Sequence, residues 1–182
     1  MLKEIQKVQA TANLLHSEAE VEAALDDMAL AINRTLADSN PLVLCVLNGG
    51  IVVAGKLLTR LNISLNIDSI SATRYQNQTT GGVISWTLKP GTPLVNRTIL
   101  IIDDILDEGI TLAAIKAYCL EQGATTVFTA VLVDKRLGHD KPIQADFVGL
   151  SVDNFYLFGY GMDYKGYLRN AAGIFACREE RL

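Results

Sequence analysis

Apolar residues recur at helical spacing through Val21, Leu25, Met28, Ile32 and Leu36, and Ser17 followed by Glu20 forms a capping box at the start of that run. The pattern predicts a helix from Ser17 that ends where Asp38 through Pro41 breaks the periodicity. Short unbroken apolar runs follow at Leu42 to Leu47, Ile99 to Ile102 and Val127 to Val133, the signature of strands buried on both faces. Helical patterns cover Ile51 to Leu61 and Ile110 to Gln122, the second closed by Gly123 as a C-terminal cap residue. Strand, helix and strand at this spacing predict an α/β fold with a mostly parallel sheet and right-handed crossovers. From Leu65 to Leu88 the pattern changes to two alternating stretches around Gln76 to Gly82, a polar tip with two glycines that reads as a long, mobile hairpin. Lys89 to Pro93 is a turn cluster, and no repeat or linker divides the chain, so one domain is expected over 1–182.

The 182 residues are 49% hydrophobic, enough to bury a single core. The net charge of −4 is spread along the chain without a basic stripe, which argues against nucleic-acid binding as the main activity. Cys45, Cys119 and Cys177 stand far apart with no CxxC pair, and with two histidines they make no zinc site. Reduced thiols, no secretion signal and a cytoplasmic address are the expectation. Without such a signal, the Asn-x-Ser/Thr matches at Asn33, Asn62, Asn77 and Asn96 read as chance. Gly50 to Leu57 nearly matches a nucleoside-triphosphate phosphate loop, but Leu57 stands where the metal-binding hydroxyl belongs, so this stretch reads as a buried helix start.

The chemistry concentrates in Ile99 to Thr111. An apolar strand runs into Asp103 and Asp104, a loop with Asp107, Glu108 and Gly109 follows, and a helix begins near Thr111. Ligands of open parallel sheets bind beyond the carboxyl ends of the strands. A helix start offers unpaired N–H groups and the positive end of a dipole to a phosphate. Gly109 lets the backbone come close, the Ile110 and Thr111 amides and the Thr111 hydroxyl add donors, and the paired acids can accept from vicinal ribose hydroxyls.

This stretch resembles the phosphoribosyl pyrophosphate loop of type I phosphoribosyltransferases, and the resemblance runs from about Leu42 to Arg169, nearest the hypoxanthine-guanine branch. Lys135, 28 residues after Asp107, matches the lysine that reads the purine 6-oxo group in that branch. Tyr156 to Tyr164 is similar to its purine-stacking and metal segment, Arg169 to its pyrophosphate-binding arginine, and Leu47-Asn48-Gly49-Gly50 to its short pyrophosphate loop.

The resemblance implies a twisted, mostly parallel sheet flanked by helices, with residues 41–149 as core and 1–40 and 150–182 contributing to a small hood. It implies purine salvage: hypoxanthine or guanine plus phosphoribosyl pyrophosphate giving IMP or GMP plus pyrophosphate, with Mg²⁺ as cofactor and a homodimer or homotetramer as assembly. Asp107 would be the general base, Tyr156 would stack on the purine, and the Leu157 backbone would read the base edge. Asp163 and Asp104 would hold Mg²⁺. The segment from Arg74 and Tyr75 to Lys89 would close over the site. Lysine offers donors only, so Lys135 favours a 6-oxo over a 6-amino purine.

Three positions depart from the family pattern. Glu108 stands where threonine is usual, Asn48 where a basic residue is common, and Arg74 where serine is usual. A Glu108 carboxylate would repel a phosphate unless it points to solvent and only its N–H binds. Two other readings remain: a xanthine-preferring transferase, and a regulatory nucleotide- or RNA-binding protein on the same fold. The second would need a basic surface that a pI of about 5.1 does not supply.

Overall fold

The computed structural model describes residues 1–75 and 83–181, with the side chains at positions 74, 75, 83 and 179–181 outside the description. The expected hairpin tip at 76–82 and the side chains of Arg74 and Tyr75 therefore lie outside the described residues.

The chain opens with α1 (Leu2–Thr11), β1 (Asn13–Ser17) and α2 (Glu18–Leu36). Ser17 caps α2: its hydroxyl accepts from the Glu20 amide, and the Glu20 carboxylate accepts from the Ser17 amide at 2.7 Å. β2 (Leu42–Val46), α3 (Gly50–Leu58), β3 (Asn66–Tyr75), β4 (Val83–Leu88), β5 (Thr98–Leu106), α4 (Ile110–Glu121), β6 (Thr126–Arg136) and β7 (Phe147–Asp153) follow. β8 (Phe155–Phe158) and β9 (Gly173–Arg181) complete the order.

Six strands form the main sheet in the order β4-β3-β2-β5-β6-β7. Every neighbouring pair is parallel except β3 and β4, the arms of the expected hairpin. Alternation along β5 divides the core. Leu100 and Ile102 face α2 and α3 with Leu25, Ile32, Val53 and Leu57, whereas Ile99 and Ile101 face α4 with Leu112, Ile115 and Cys119. Helices on both faces explain why the central strands read as unbroken apolar runs. Each such side chain, fully buried, contributes roughly 1.5–3 kcal/mol relative to exposure.

The second sheet is antiparallel, in the order β1-β9-β8, and joins the two ends of the chain. Ile5 of α1 packs with Phe158, Tyr164, Leu168 and Cys177 beneath it.

The sheet order creates the site. From β2 the chain crosses through α3 to β3 on one side, and from β5 it crosses through α4 to β6 on the other. Helices on opposite faces leave a crevice between β2 and β5, where the winding reverses. β2 stops pairing with β5 at Cys45 opposite Ile102, but β5 continues beside β6 as far as Leu106 opposite Asp134. Asp103 and Asp104 thus belong to the strand and do not follow it as first expected from the apolar run. They stand where β2 has ended, on the wall of the crevice.

Candidate active site

A cavity of about 530 Å³ opens at this crevice. The turn after β2 supplies Leu47, Asn48 and Gly49; β5 and its loop supply Asp103 to Thr111. Lys135 comes from the end of β6, Tyr156 and Leu157 from β8, and Met162, Asp163 and Arg169 from the segment before β9. Asp107, Lys135 and Asp163, which the sequence separates widely, share this cavity.

The loop after β5 turns through Gly109, whose φ of 77° lies in the left-handed region that favours glycine. α4 then begins at Ile110 with no side-chain cap. Its first amides, including those of Ile110 and Thr111, have no intrahelical acceptor and suit an anion. The Glu108 side chain is 55% exposed and turned toward His139, with Oε2 3.2 Å from Nε2.

Lys135, only 3% exposed, donates from Nζ to Asp107 Oδ2 at 3.1 Å, while Asp107 is 47% exposed toward the cavity. A primary ammonium has three donors, so one can meet Asp107 and another a ligand.

Asp104 is buried, and its amide donates to Asp103 Oδ1 at 2.9 Å. Desolvation, with the Asp104 charge second, pushes the Asp103 carboxyl well above the ordinary carboxylate range. Asp104 is also raised by burial, opposed by its hydrogen bond with Asp103 and by the Arg169 guanidinium. Two crowded carboxyls of this kind favour an added cation or hydroxyl donors.

Two glycines explain how closely the backbones meet here. A Cβ on Gly49 would overlap the Asp104 carboxylate, and a Cβ on Gly161, whose φ is 106°, would overlap the Gly49 carbonyl. The Leu47–Asn48 peptide in this turn is cis. Gly50 is not among the residues lining the cavity; it starts α3 directly after them, where a Cβ would meet the Ile102 carbonyl at 2.7 Å.

Arg169 pairs with Asp163 at 2.5 Å and donates to the Gly161 carbonyl at 2.6 Å. Asp163 also accepts from the Gly166 amide at 2.6 Å. Tyr156 meets Tyr164 edge to face, with centroids 5.4 Å apart. Behind the 159–163 segment, Tyr160 donates to Glu22 Oε1 at 2.6 Å, and Glu22 also accepts from Lys56 and Arg60, each at 2.5 Å. Sequence patterns gave no sign of this buttress, because its members are scattered over α2, α3, the turn after α3 and the segment after β8.

The charged residues lining the cavity are mostly acidic: Asp103, Asp104, Asp107, Glu108 and Asp163 outnumber Lys135 and Arg169. An anionic ligand would rely on loop amides, the two basic residues and a cation. The hard carboxylate oxygens of Asp104 and Asp163 fit Mg²⁺, which commonly takes one or two carboxylates plus substrate phosphates. Among the described residues there is no cluster of three or more His, Cys, Asp or Glu able to cage a metal alone. No helix among them is long and apolar enough to cross a membrane.

The model of the phosphoribosyl transferase domain matches residues 11–165. The hypoxanthine-guanine phosphoribosyltransferase of Bacillus subtilis is 30% identical over 158 residues, covering 86% of this chain and 88% of that protein. The hypoxanthine-guanine-xanthine phosphoribosyltransferase of Tritrichomonas foetus is 27% identical, over 91% of both. Among solved structures, a hypoxanthine phosphoribosyltransferase from Staphylococcus aureus superposes with a TM-score of 0.86 at 23% identity, over 91% of each chain.

Proposed function

The chain belongs to the phosphoribosyl transferase domain family, and from that premise we propose that it is a purine salvage enzyme converting hypoxanthine or guanine plus phosphoribosyl pyrophosphate to IMP or GMP plus pyrophosphate. The observation that carries the choice of base is the 3.1 Å pair of Lys135 and Asp107 in one cavity with the uncapped start of α4. The relatives named for hypoxanthine and guanine support the same choice.

In this reading the 5′-phosphate rests on the amides of the Asp107–Thr111 loop, while Asp103 and Asp104 accept from the ribose hydroxyls. Asn48, Gly49 and Arg169 meet the pyrophosphate, Arg169 exchanging its bond with Asp163 for a phosphate oxygen. Tyr156 stacks on the purine, the Leu157 backbone reads its edge, and Lys135 donates to its 6-oxo group. As a purine ring nitrogen bonds to the ribosyl carbon and the bond to pyrophosphate breaks, Asp107 accepts the proton released by the base. Asp163 and Asp104 would hold Mg²⁺, which when bound neutralises charge on the pyrophosphate. The reading extends to a cytoplasmic homodimer or homotetramer, an assembly that sedimentation of the purified protein checks.

A second reading, acceptance of xanthine as well, is favoured by the relative named for all three bases. Initial rates of pyrophosphate release with hypoxanthine, guanine, xanthine and adenine separate the two. Hypoxanthine and guanine should turn over and adenine should not; adenine turned over as fast as hypoxanthine would remove the base assignment, and xanthine turnover would broaden it.

A further inference from the structure

The connection from β6 to β7 runs along the outer side of the β5–α4 loop and touches it at successive points. Ile143 and Pro142 lie against Gly109, where a Cβ would meet Ile143 Cγ2 at 3.2 Å. His139 faces Glu108. Between them Lys141, only 11% exposed, donates from Nζ to the Leu106 carbonyl and to Asp134 Oδ1, both at 2.7 Å.

Those two partners are not arbitrary. Leu106 and Asp134 stand opposite each other as the last pair of the β5–β6 ladder. The residue after Leu106 is Asp107 and the residue after Asp134 is Lys135, the pair at 3.1 Å in the cavity. Beyond Leu106 the β5–β6 ladder ends, so Asp107 has no strand pairing of its own to hold it beside Lys135. The last ladder pair before it is held a second time, by one ammonium bonded to both residues. Its low exposure excludes water that would otherwise compete for the carbonyl.

We propose that Lys141 is a positioning residue for the transfer reaction, one that ties the ends of β5 and β6 together and so holds the Asp107 loop in register with Lys135. It touches no substrate and acts through the Leu106 carbonyl and Asp134. The inference rests on the assignment of this cavity as the transfer site.

The test compares Lys141→Met, which keeps the stem and removes the donors, with Lys141→Arg, which restores a cationic donor, and Asp134→Asn, which weakens one of the two bonds. Amide hydrogen exchange of residues 107–111 is measured in the ligand-free protein, and kcat and both KM values with hypoxanthine, phosphoribosyl pyrophosphate and Mg²⁺. Lys141→Met should speed exchange in that segment and lower kcat, each about tenfold, because small misplacements of reacting groups are costly. The KM for hypoxanthine should shift less than kcat does, and Lys141→Arg should recover most of the turnover. Asp134→Asn should fall between, and keeps the proposal testable if the methionine variant does not fold. Exchange and kcat both within about twofold of the parent, or faster exchange with unchanged kcat, would overturn it. An Asp107→Asn control separates the two ideas: undiminished turnover there would remove the base assignment, whereas the exchange and rescue results still judge Lys141.

Discussion

Glu22 offers a quantitative handle on how the 159–163 segment is held. Its carboxylate takes hydrogen bonds from Lys56 at 2.5 Å, Tyr160 at 2.6 Å and Arg60 at 2.5 Å. These partners, Lys56 first and Tyr160 next, depress its pKa from 4.5 to about 2. At about 1.4 kcal/mol per pH unit, a shift of that size corresponds to roughly 3 kcal/mol favouring the folded state. The side chain is 26% exposed, and solvent screening reduces the figure to about 2 kcal/mol. Replacement by glutamine keeps the shape and removes the charge. Because the folded pKa is the lower one, the stabilisation is complete above the unfolded value of 4.5 and disappears as pH falls toward 2. Urea unfolding of parent and Glu22→Gln from pH 2.5 to 8 should give a difference of about 2 kcal/mol that is flat above pH ~5.5 and shrinks steadily below pH ~4.5. In a chain of this length the neutral-pH loss should lower Tm by about 6 °C. A difference that did not change with pH, or one below ~0.5 kcal/mol at neutrality, would refute the ionic account of this buttress.

Other substitutions probe the cavity itself. Lys135→Ala should raise the KM for 6-oxopurines by about 10- to 100-fold, the scale of a lost charged hydrogen bond, with the sugar donor's KM nearly unchanged; steady-state kinetics with each substrate varied would show an equal rise in both if Lys135 did not read the base. Asp103→Asn should stabilise the ligand-free protein by about 1 kcal/mol at pH 8 in urea unfolding, because a raised carboxyl contributes stability below its unfolded value of 3.8 that is lost as pH rises through the folded one. The same variant should bind phosphoribosyl pyrophosphate more weakly by calorimetry, and a loss of stability at pH 8 would count against the crowded-acid account. Gly161→Ala should cost about 3 kcal/mol or more, since it combines a φ of 106° with overlap on the Gly49 carbonyl; thermal unfolding within 2 °C of the parent would contradict that.

The sheet core is legible in the sequence because its helices cover both faces. Leu100 and Ile102 need a partner on one side and Ile99 and Ile101 on the other, so the run reads apolar throughout and marks a central strand. The Ser17 and Glu20 pairing is equally local, and α2 starts where that box places it. The second sheet is much less legible. β1 and β9 pair across most of the chain, and β8 holds only four residues, too few for alternation to stand out. α1 buries Ile5 alone, so few of its residues mark what it packs against. The β5 boundary is misjudged for a related reason: apolar periodicity stops at Ile102, whereas backbone pairing with β6 carries the strand through both acids to Leu106.

The same division runs through the site. Strand, acids, glycine and helix start lie in one continuous segment from Ile99 to Thr111, so their chemistry can be read without knowing what packs against them. The residues that hold them in place cannot. Glu22 meets Tyr160 across 138 positions and Lys141 meets Leu106 across 35. A glutamate on a charged helix and a lysine in a polar connection each read as solvated surface. Gly161 reads as a turn residue until β8 and β9 are seen to carry it over the β2 turn, where only a missing side chain lets its backbone pass Gly49. The acids of β5, the loop amides and Lys135 come from the main sheet, and Tyr156, Leu157, Asp163 and Arg169 from β8 and the segment before β9, while contacts among separate elements and with the β6–β7 connection hold them in place. Changes at Glu22, Lys141 and Gly161 should accordingly alter transfer through stability and loop order, whereas changes at Lys135 and Asp103 should alter it through the substrate each one faces.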